Sequence, residues 1–560
     1  MTGSQQPEPA WALPGDPGRV VAALDTAVAP LDAESLLRRA LAFRVLGHGA
    51  DAAADLAAAE QLPAAHALRR WACALRADFT FNLDGDDTSA WTLTSTLVDG
   101  ALSAVDAALA KAHEVRSQIL AAKPTRSRLH QADRDARQAI EIWERLRLGG
   151  NARAVRANRV TDVLVPLGRY DEALAEFDGL LASSDTTNEA GRLRLLRAFA
   201  ALDAGDLDAS GGDLDSAEVL ARTPLHPLRL ATVAWGRALI ACRRGDRTGA
   251  RRLADRAERS AVGAGHSWAL PLWCDLSIEF GALGDLDLAD SYLQRARDLD
   301  PDDASVRHAE FVLDARSGRL GDVDAVLESI PPGLWGRTLA VAASAASRAG
   351  ATDEADELAR FAADELAAGG APAEPAVEPS RGGRGYVRLY GERMIVLDGD
   401  GHEVRLDGPT QRAFVAFVAA RPGATPSQVA SALYPDESPA VGMRRVRTVA
   451  KRVREVFAGL VELRNGRFSP GVECDLHEAV ESAEQAAGLA RWDRDMATHS
   501  AFAAVVAANG PLLAEFAARW AGDVRAEVEA VFRPSIELLA GHAAGLGDDP
   551  STAQWARLIA

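Results

Sequence analysis

Nine residues in the last quarter of the chain could do chemistry together, and that chemistry is the gripping of a polyanion. Arg444, Arg445, Arg447, Thr448, Lys451, Arg452 and Arg454 lie within eleven consecutive positions, and Arg464 and Arg467 come shortly after. From Val441 to Arg467 there are eight basic residues and two acidic ones. Among them Val446, Val449, Ala450, Val453, Val456 and Phe457 recur at helical spacing, which predicts one apolar stripe on an otherwise basic helix. An α-helix fits the major groove of DNA, where Arg donates two hydrogen bonds to a guanine edge or clamps phosphates. Arg464 and Arg467 flank Asn465-Gly466, the strongest short hairpin signal, and so would set two more cations beside the backbone or minor groove. A merely solvated basic face is the competing reading. The hairpin arginines and the elements around the helix argue for docking instead.

Those elements begin near residue 386. Segments 387–390, 393–397 and 402–406 alternate like short strands, the last two joined by the turn signal Asp398-Gly-Asp-Gly401. Helical periodicity runs from Pro409 to about Ala420 and is stopped by Arg421-Pro-Gly423. Thr425-Pro426 supplies an N-cap followed by Pro at the first helical position, opening a short helix that reaches Leu433. The basic helix spans about 439–457, and strands at 460–463 and 468–470 flank the Arg464–Arg467 turn. Strands, three helices and a closing hairpin compose a winged helix-turn-helix over 386–470.

The segment resembles the OmpR/PhoB-type winged helix of the Streptomyces antibiotic regulatory protein family. The residues that carry the likeness are Leu406-Asp-Gly-Pro-Thr-Gln-Arg-Ala413, Arg421-Pro-Gly423, Leu433-Tyr-Pro-Asp436, Arg452-Val-Arg454 and Gly466-Arg-Phe468. The remainder of the chain, 472–560, resembles that family's helical bacterial transcriptional activator domain through Val472-Glu-Cys-Asp-Leu476, Gly510-Pro-Leu-Leu-Ala-Glu-Phe516 and Trp520. The chain departs from the family pattern at Val449 and Lys451, where His and Ser are common, and in the long stretch that precedes the module. The resemblance implies a transcription regulator, expected to activate, that binds repeated promoter sites as a homodimer and touches RNA polymerase.

That long stretch reads as helix on helix. An apolar helix, a turn opening with Gly and usually an acidic residue or Arg, then a second helix recur at Gly168, Gly205, Gly245, Gly284 and Gly350, with weaker turns at Gly49 and near Gly318 or Gly321. From Gly168 to Gly284 the anchors are 37, 40 and 39 residues apart. Gly ends the first helix in the left-handed conformation, and the acidic residue stabilises the start of the second. One such hairpin cannot bury its own apolar face, so neighbours must stack. The pattern resembles the tetratricopeptide repeat and is expected over 16–368. It is loose in 19–76 and out of register in 78–148, where helices are expected at 97–122 and 129–148 but no repeat. The stacked hairpins would offer a groove for a peptide or protein. Trp235, Trp268, Trp273 and Trp335 fall in these repeats and are read as packing residues.

Composition and charge bound the rest. The chain has 560 residues, 48% of them hydrophobic and 25% charged, and calls for several domains, mostly α. The net charge is −18, but 385–470 holds thirteen Arg and Lys against nine Asp and Glu, a basic island on an acidic body. Residues 1–15 are read as disordered and the Gly- and Pro-rich 369–385 as a linker. With no leader-like start and no apolar run of spanning length, the expectation is a cytoplasmic protein with no membrane partner. Cys73, Cys242, Cys274 and Cys474 stand apart and suggest neither disulfide nor zinc. Asp84-Gly-Asp-Asp87 lacks the spacing of a calcium loop. Lysine occurs only at 111, 123 and 451, never after Gly, so there is no Walker A loop. No catalytic residue, cofactor or metal is expected.

Overall fold

The computed structural model describes residues 11–12, 17–27, 30–46, 48–99, 106–184, 186–222, 225–261, 266–369, 384–508 and 510–545. Most of the expected disordered start and linker, and the last fifteen residues, lie outside them. The chain is mostly helical and falls into two compact units, one of 1–184 with 320–373 and one of 185–319 with 374–560.

The turn chemistry expected of the repeats is what forms. Gly168, Gly205, Gly245, Gly284, Gly318 and Gly350 all take positive φ, between 75° and 84°. At each, the amide one residue further on bonds back to the end of the preceding helix, as from Asp206 to the Ala201 carbonyl and from Asp246 to the Ala241 carbonyl, both 2.9 Å. At two of these turns the acidic residue after the glycine caps the second helix, Asp206 accepting from Ala209 N (2.9 Å) and Asp246 from Gly249 N (2.8 Å), whereas Asp285 makes no cap bond and pairs with Arg251. These are tetratricopeptide-like helical hairpins.

The first unit contains more hairpins than the sequence disclosed. His66–Asn82 pairs with Asp87–Asp99, and Ala107–Ala121 with Arg126–Arg145; the first hairpin enters the stretch where no repeat was expected and the second lies wholly inside it. The single helix expected at 97–122 is instead two, ending at Asp99 and restarting at Ala107. The later of these hairpins turns on Ala122-Lys-Pro-Thr125, without a Gly–Asp signal. The weak Gly49 turn is also different, since Gly49 opens a helix, Gly49–Glu60, instead of closing one. Trp335 lies under the Arg126 guanidinium, 5.0 Å from its ring centre.

In the second unit Thr187–Asp203 pairs with Leu207–Arg222, Pro227–Arg243 with Arg247–Ser260, and His266–Ala282 with Leu286–Leu299, and Ala304–Arg316 comes next. Phe199, Trp235 and Trp268 form an edge-to-face row with centroids 5.0 and 5.8 Å apart. Trp273 donates to Glu258 (2.7 Å).

Residues 384–545 pack against these repeats. Strands β1 (Tyr386–Arg388), β2 (Ile395–Leu397) and, later in the chain, β5 (Glu473–Cys474) form a sheet in the order β2-β1-β5, with β5 parallel to β1. The strand expected at 402–406 reduces to one bridge, Leu397 to Glu403. The turn before it is spent on a tertiary contact: Thr248 Oγ1 donates to the Asp398 carbonyl (3.0 Å). Ion pairs Arg388–Asp255 and Arg252–Glu473 join the same two parts. Beyond Cys474 come helices Asp475–Leu489, Arg494–Ala507 and Arg519–Gly545. One core runs from Val387 through Phe414, Val446 and Phe468 to Trp520 and Phe532, so 386–470 and the helices after it share their interior. A smaller cluster seats Phe502 and Leu539 against Ala221 and Leu230 of the repeats. Phe502→Ala should cost about 3–5 kcal/mol, since the cavity would open where both parts meet. A thermal melt reads this, and an unchanged midpoint would mean the cluster contributes nothing.

Candidate nucleic-acid interface

Three helices carry the candidate interface. The first, Pro409–Ala420, buries Phe414, Val415 and Val418 and forms the floor. The second, Pro426–Leu433, is fixed at its start by a reciprocal capping box between Thr425 and Gln428. The basic helix, Pro439–Val456, lies across it, and Gly442 permits the approach, since a Cβ there would stand 3.2 Å from the Ala430 Cβ. A hairpin of β3 (Val461–Arg464) and β4 (Arg467–Pro470) comes after it. Its turn residues Asn465 and Gly466 both have positive φ, 51° and 72°, the type I′ geometry that Asn-Gly favours. The hairpin is pinned to the turn before the second helix by Gly423 N to Phe468 O (2.7 Å) and Phe468 N to Ala424 O (2.8 Å).

Burial then sorts the basic helix by face. Val446, Val449, Ala450 and Val453 are buried, as the stripe requires, whereas Val456 is exposed and Phe457 half-buried. The helix ends at Val456, which turns to solvent, while Phe457 just beyond it still packs at the edge of the core. Arg444, Arg445, Arg447, Thr448, Lys451, Arg452 and Arg454 are all exposed, as are Arg464 and Arg467 on the hairpin. The structure therefore brings the nine residues onto two adjoining elements.

Their partners differ. Arg444, Arg447 and Arg452 make no ion pair or side-chain hydrogen bond among the described residues. Arg445 pairs with Glu437 (2.9 Å) and stacks over Tyr434, Lys451 stands 3.6 Å from Glu455, and Arg464 pairs with Glu462 (2.7 Å). Arg454 donates to the Ala450 carbonyl, and Arg467 donates to the Gly423 carbonyl (2.9 Å), so part of the hairpin's charge is committed to holding the hairpin. Thr448 Oγ1 donates to the Arg444 carbonyl and keeps its lone pairs for an incoming donor. Exposed pairs of this kind are weak and exchange readily for phosphate partners.

Sequence reasoning overlooked the three glutamates, although Lys451 and Glu455 stand at the i,i+4 spacing of a helical pair. It also overlooked Arg519. That residue is exposed at the start of its helix and lines, with Arg467, Gln428 and Trp520, a groove of about 1110 Å³ beside the hairpin. Only the fold brings it there.

No protein-family model matches this chain, and no curated protein does. Among solved structures it is similar to a Rap protein complexed with competence and sporulation factor, at 11% identity, over 63% of this chain and 91% of that one, with a TM-score of 0.38. It is also similar to the TPR domain of P58(IPK), at 15% identity, over 60% of this chain and 99% of that one, with a TM-score of 0.17.

One buried group holds the interface to the helices behind it. The Asp475 carboxylate accepts from Leu389 N (2.8 and 3.0 Å), Tyr390 N (3.0 Å) and Leu476 N (2.8 Å), tying β1 to the helix that begins at Asp475. Burial pushes its pKa up to about 6 although those three amides pull the other way. Leu513 N then donates to Leu389 O, and Glu515 clamps Arg412 with two bonds (3.1 and 2.6 Å).

Proposed function

We propose that this is a helical-repeat interaction protein whose residues 386–470 are a winged helix that binds double-stranded DNA, and that the two together make a transcription regulator. The observation that carries the reading is the solvent face of the Pro439–Val456 helix, on which Arg444, Arg447 and Arg452 stand exposed and, among the described residues, without counter-ions. Exposed, unpaired guanidinium groups on one helix are what major-groove and phosphate contacts require. The hairpin at Arg464–Arg467 would lie along the flanking backbone, and the helices from Asp475 onward would carry contacts to the polymerase. The repeats would take in a peptide or protein.

The second reading is an interaction protein whose basic helix docks an acidic protein instead of DNA. The positions of Glu437, Glu455 and Glu462 favour it, because each already sits on one of the cations. The helical repeats belong equally to both readings. Salt separates them. If DNA is bound, log affinity for a duplex falls with log salt by about 0.9 for every phosphate neutralised, so a face of this size gives a slope of roughly 3 or steeper. Duplex affinity that is absent at low salt, in a gel shift of the full chain, leaves the second reading.

A further inference from the structure

Arginines in the repeats of the second unit are in general paired. Arg194 and Arg197 both reach Asp213, Arg237 reaches Asp215 and Glu218, Arg243 reaches Glu279 and Arg251 reaches Asp285. Arg192 and Arg229 belong to the minority, with Arg247, Arg259 and Arg307, that have no carboxylate partner among the described residues. Arg192 and Arg229 also stand together. Arg229 belongs to Pro227–Arg243, yet its Nη1 lies 3.1 Å from where a Cβ on Gly191 would be, so it reaches across to Thr187–Asp203 and ends against Gly191, near enough to Arg192 for the two charges to repel. There Nη1 is buried and, among the described residues, has no hydrogen-bond partner. Burial and the neighbouring Arg192 charge both lower the Arg229 pKa, and burial and Arg229 lower that of His226.

Such an arrangement opposes stability in three ways. Two like charges are adjacent, one donor is desolvated without a partner, and Arg229 lies in the first turn of a helix, where the macrodipole disfavours a cation. The surrounding chain is acidic, with a net charge of −18, and could have supplied a carboxylate here as it does elsewhere. Uncompensated cost of this kind is characteristic of positions kept for a ligand. Gly191 contributes by having no side chain in the space that the guanidinium occupies.

We propose that Arg192 and Arg229 form a binding site for an oxyanion, the carboxylate or phosphate of a peptide or small molecule, on the repeats between residues 186 and 319. Two guanidinium groups from neighbouring helices match two oxygens of one such group. The proposal is independent of what the basic helix at 439–456 binds.

The test uses the full chain in a buffer free of multivalent anions. It is titrated by calorimetry with inorganic phosphate and, separately, with succinate at millimolar concentrations. Binding of phosphate alone assigns a phosphoryl ligand, and binding of succinate alone a carboxylate. Arg192→Gln and Arg229→Met should each weaken the bound anion by about tenfold or more, the scale of a charge-assisted pair. Without anion, the Arg229→Met protein should melt at or above the wild-type temperature, because a repulsion has been removed. An arginine with a structural role would lower it. Failure of both anions to bind, or wild-type affinity in Arg192→Gln, which alters only an exposed side chain, overturns the proposal whatever Arg229→Met does.

Discussion

Replacing Arg444, Arg447 and Arg452 together with alanine is expected to lower affinity for duplex DNA by about a hundredfold or more, at roughly 1–3 kcal/mol for each base or phosphate interaction removed. The same change should flatten the salt dependence by up to about three units of slope. The fold should not notice. These side chains are exposed and bond to nothing among the described residues, so their removal ought to move stability by no more than about 0.5 kcal/mol. Arg445, Lys451 and Arg464 offer an internal comparison. Each has a glutamate within 3.6 Å, so alanine there removes a cation that must first leave its partner, and a smaller loss of affinity is expected. Equal losses in both sets would mean that the glutamates do not compete with DNA. No loss in the first set would take the basic helix out of DNA binding altogether.

Asp475→Ala should strongly destabilise the carboxy-terminal half. It leaves the amides of Leu389, Tyr390 and Leu476 without their acceptor in the interior, at about 1–3 kcal/mol for each that stays dry, so a loss of about 3 kcal/mol or more is expected. The effect should depend on pH, with a sign set by the raised pKa. In the folded protein this carboxyl keeps its proton up to about pH 6, whereas an unfolded one releases it near 3.8. Between those values the folded state binds the extra proton, so the contribution of Asp475 to stability is complete below about pH 4 and is lost as pH rises through 6. The deficit of the alanine variant relative to wild type should therefore be largest near pH 4 and shrink toward about pH 7. Urea unfolding at the two ends of that range measures it, and a deficit that grows with pH would show that the carboxylate, not the protonated acid, is the native form.

Local rules were legible in the residues. Glycine followed by an acidic residue located the repeat turns, Thr425 with Gln428 located a helix start, and Asn465-Gly466 located a hairpin, because each depends on a backbone conformation or a bond within a few positions. The hairpin turning on Ala122-Lys-Pro-Thr125 was missed for the complementary reason: it has no such local signature and is held by packing between its helices. The strand expected at 402–406 was likewise lost to a tertiary partner, the repeat residues around Thr248.

For the candidate interface, helical periodicity and charge were enough to place seven cationic or hydroxyl side chains on one helix and two on a hairpin. They could not say which cations are free. That is a matter of which carboxylates the fold carries to them, and Glu437 and Glu462 arrive from a loop and a strand. Nor could they pair Arg229 with Arg192, since two residues 37 positions apart meet only because adjacent hairpins stack. Charge and periodicity are properties of a segment and survive in isolation. Whether a charge is neutralised, buried or left waiting depends on distances between segments, and only the packed chain sets those.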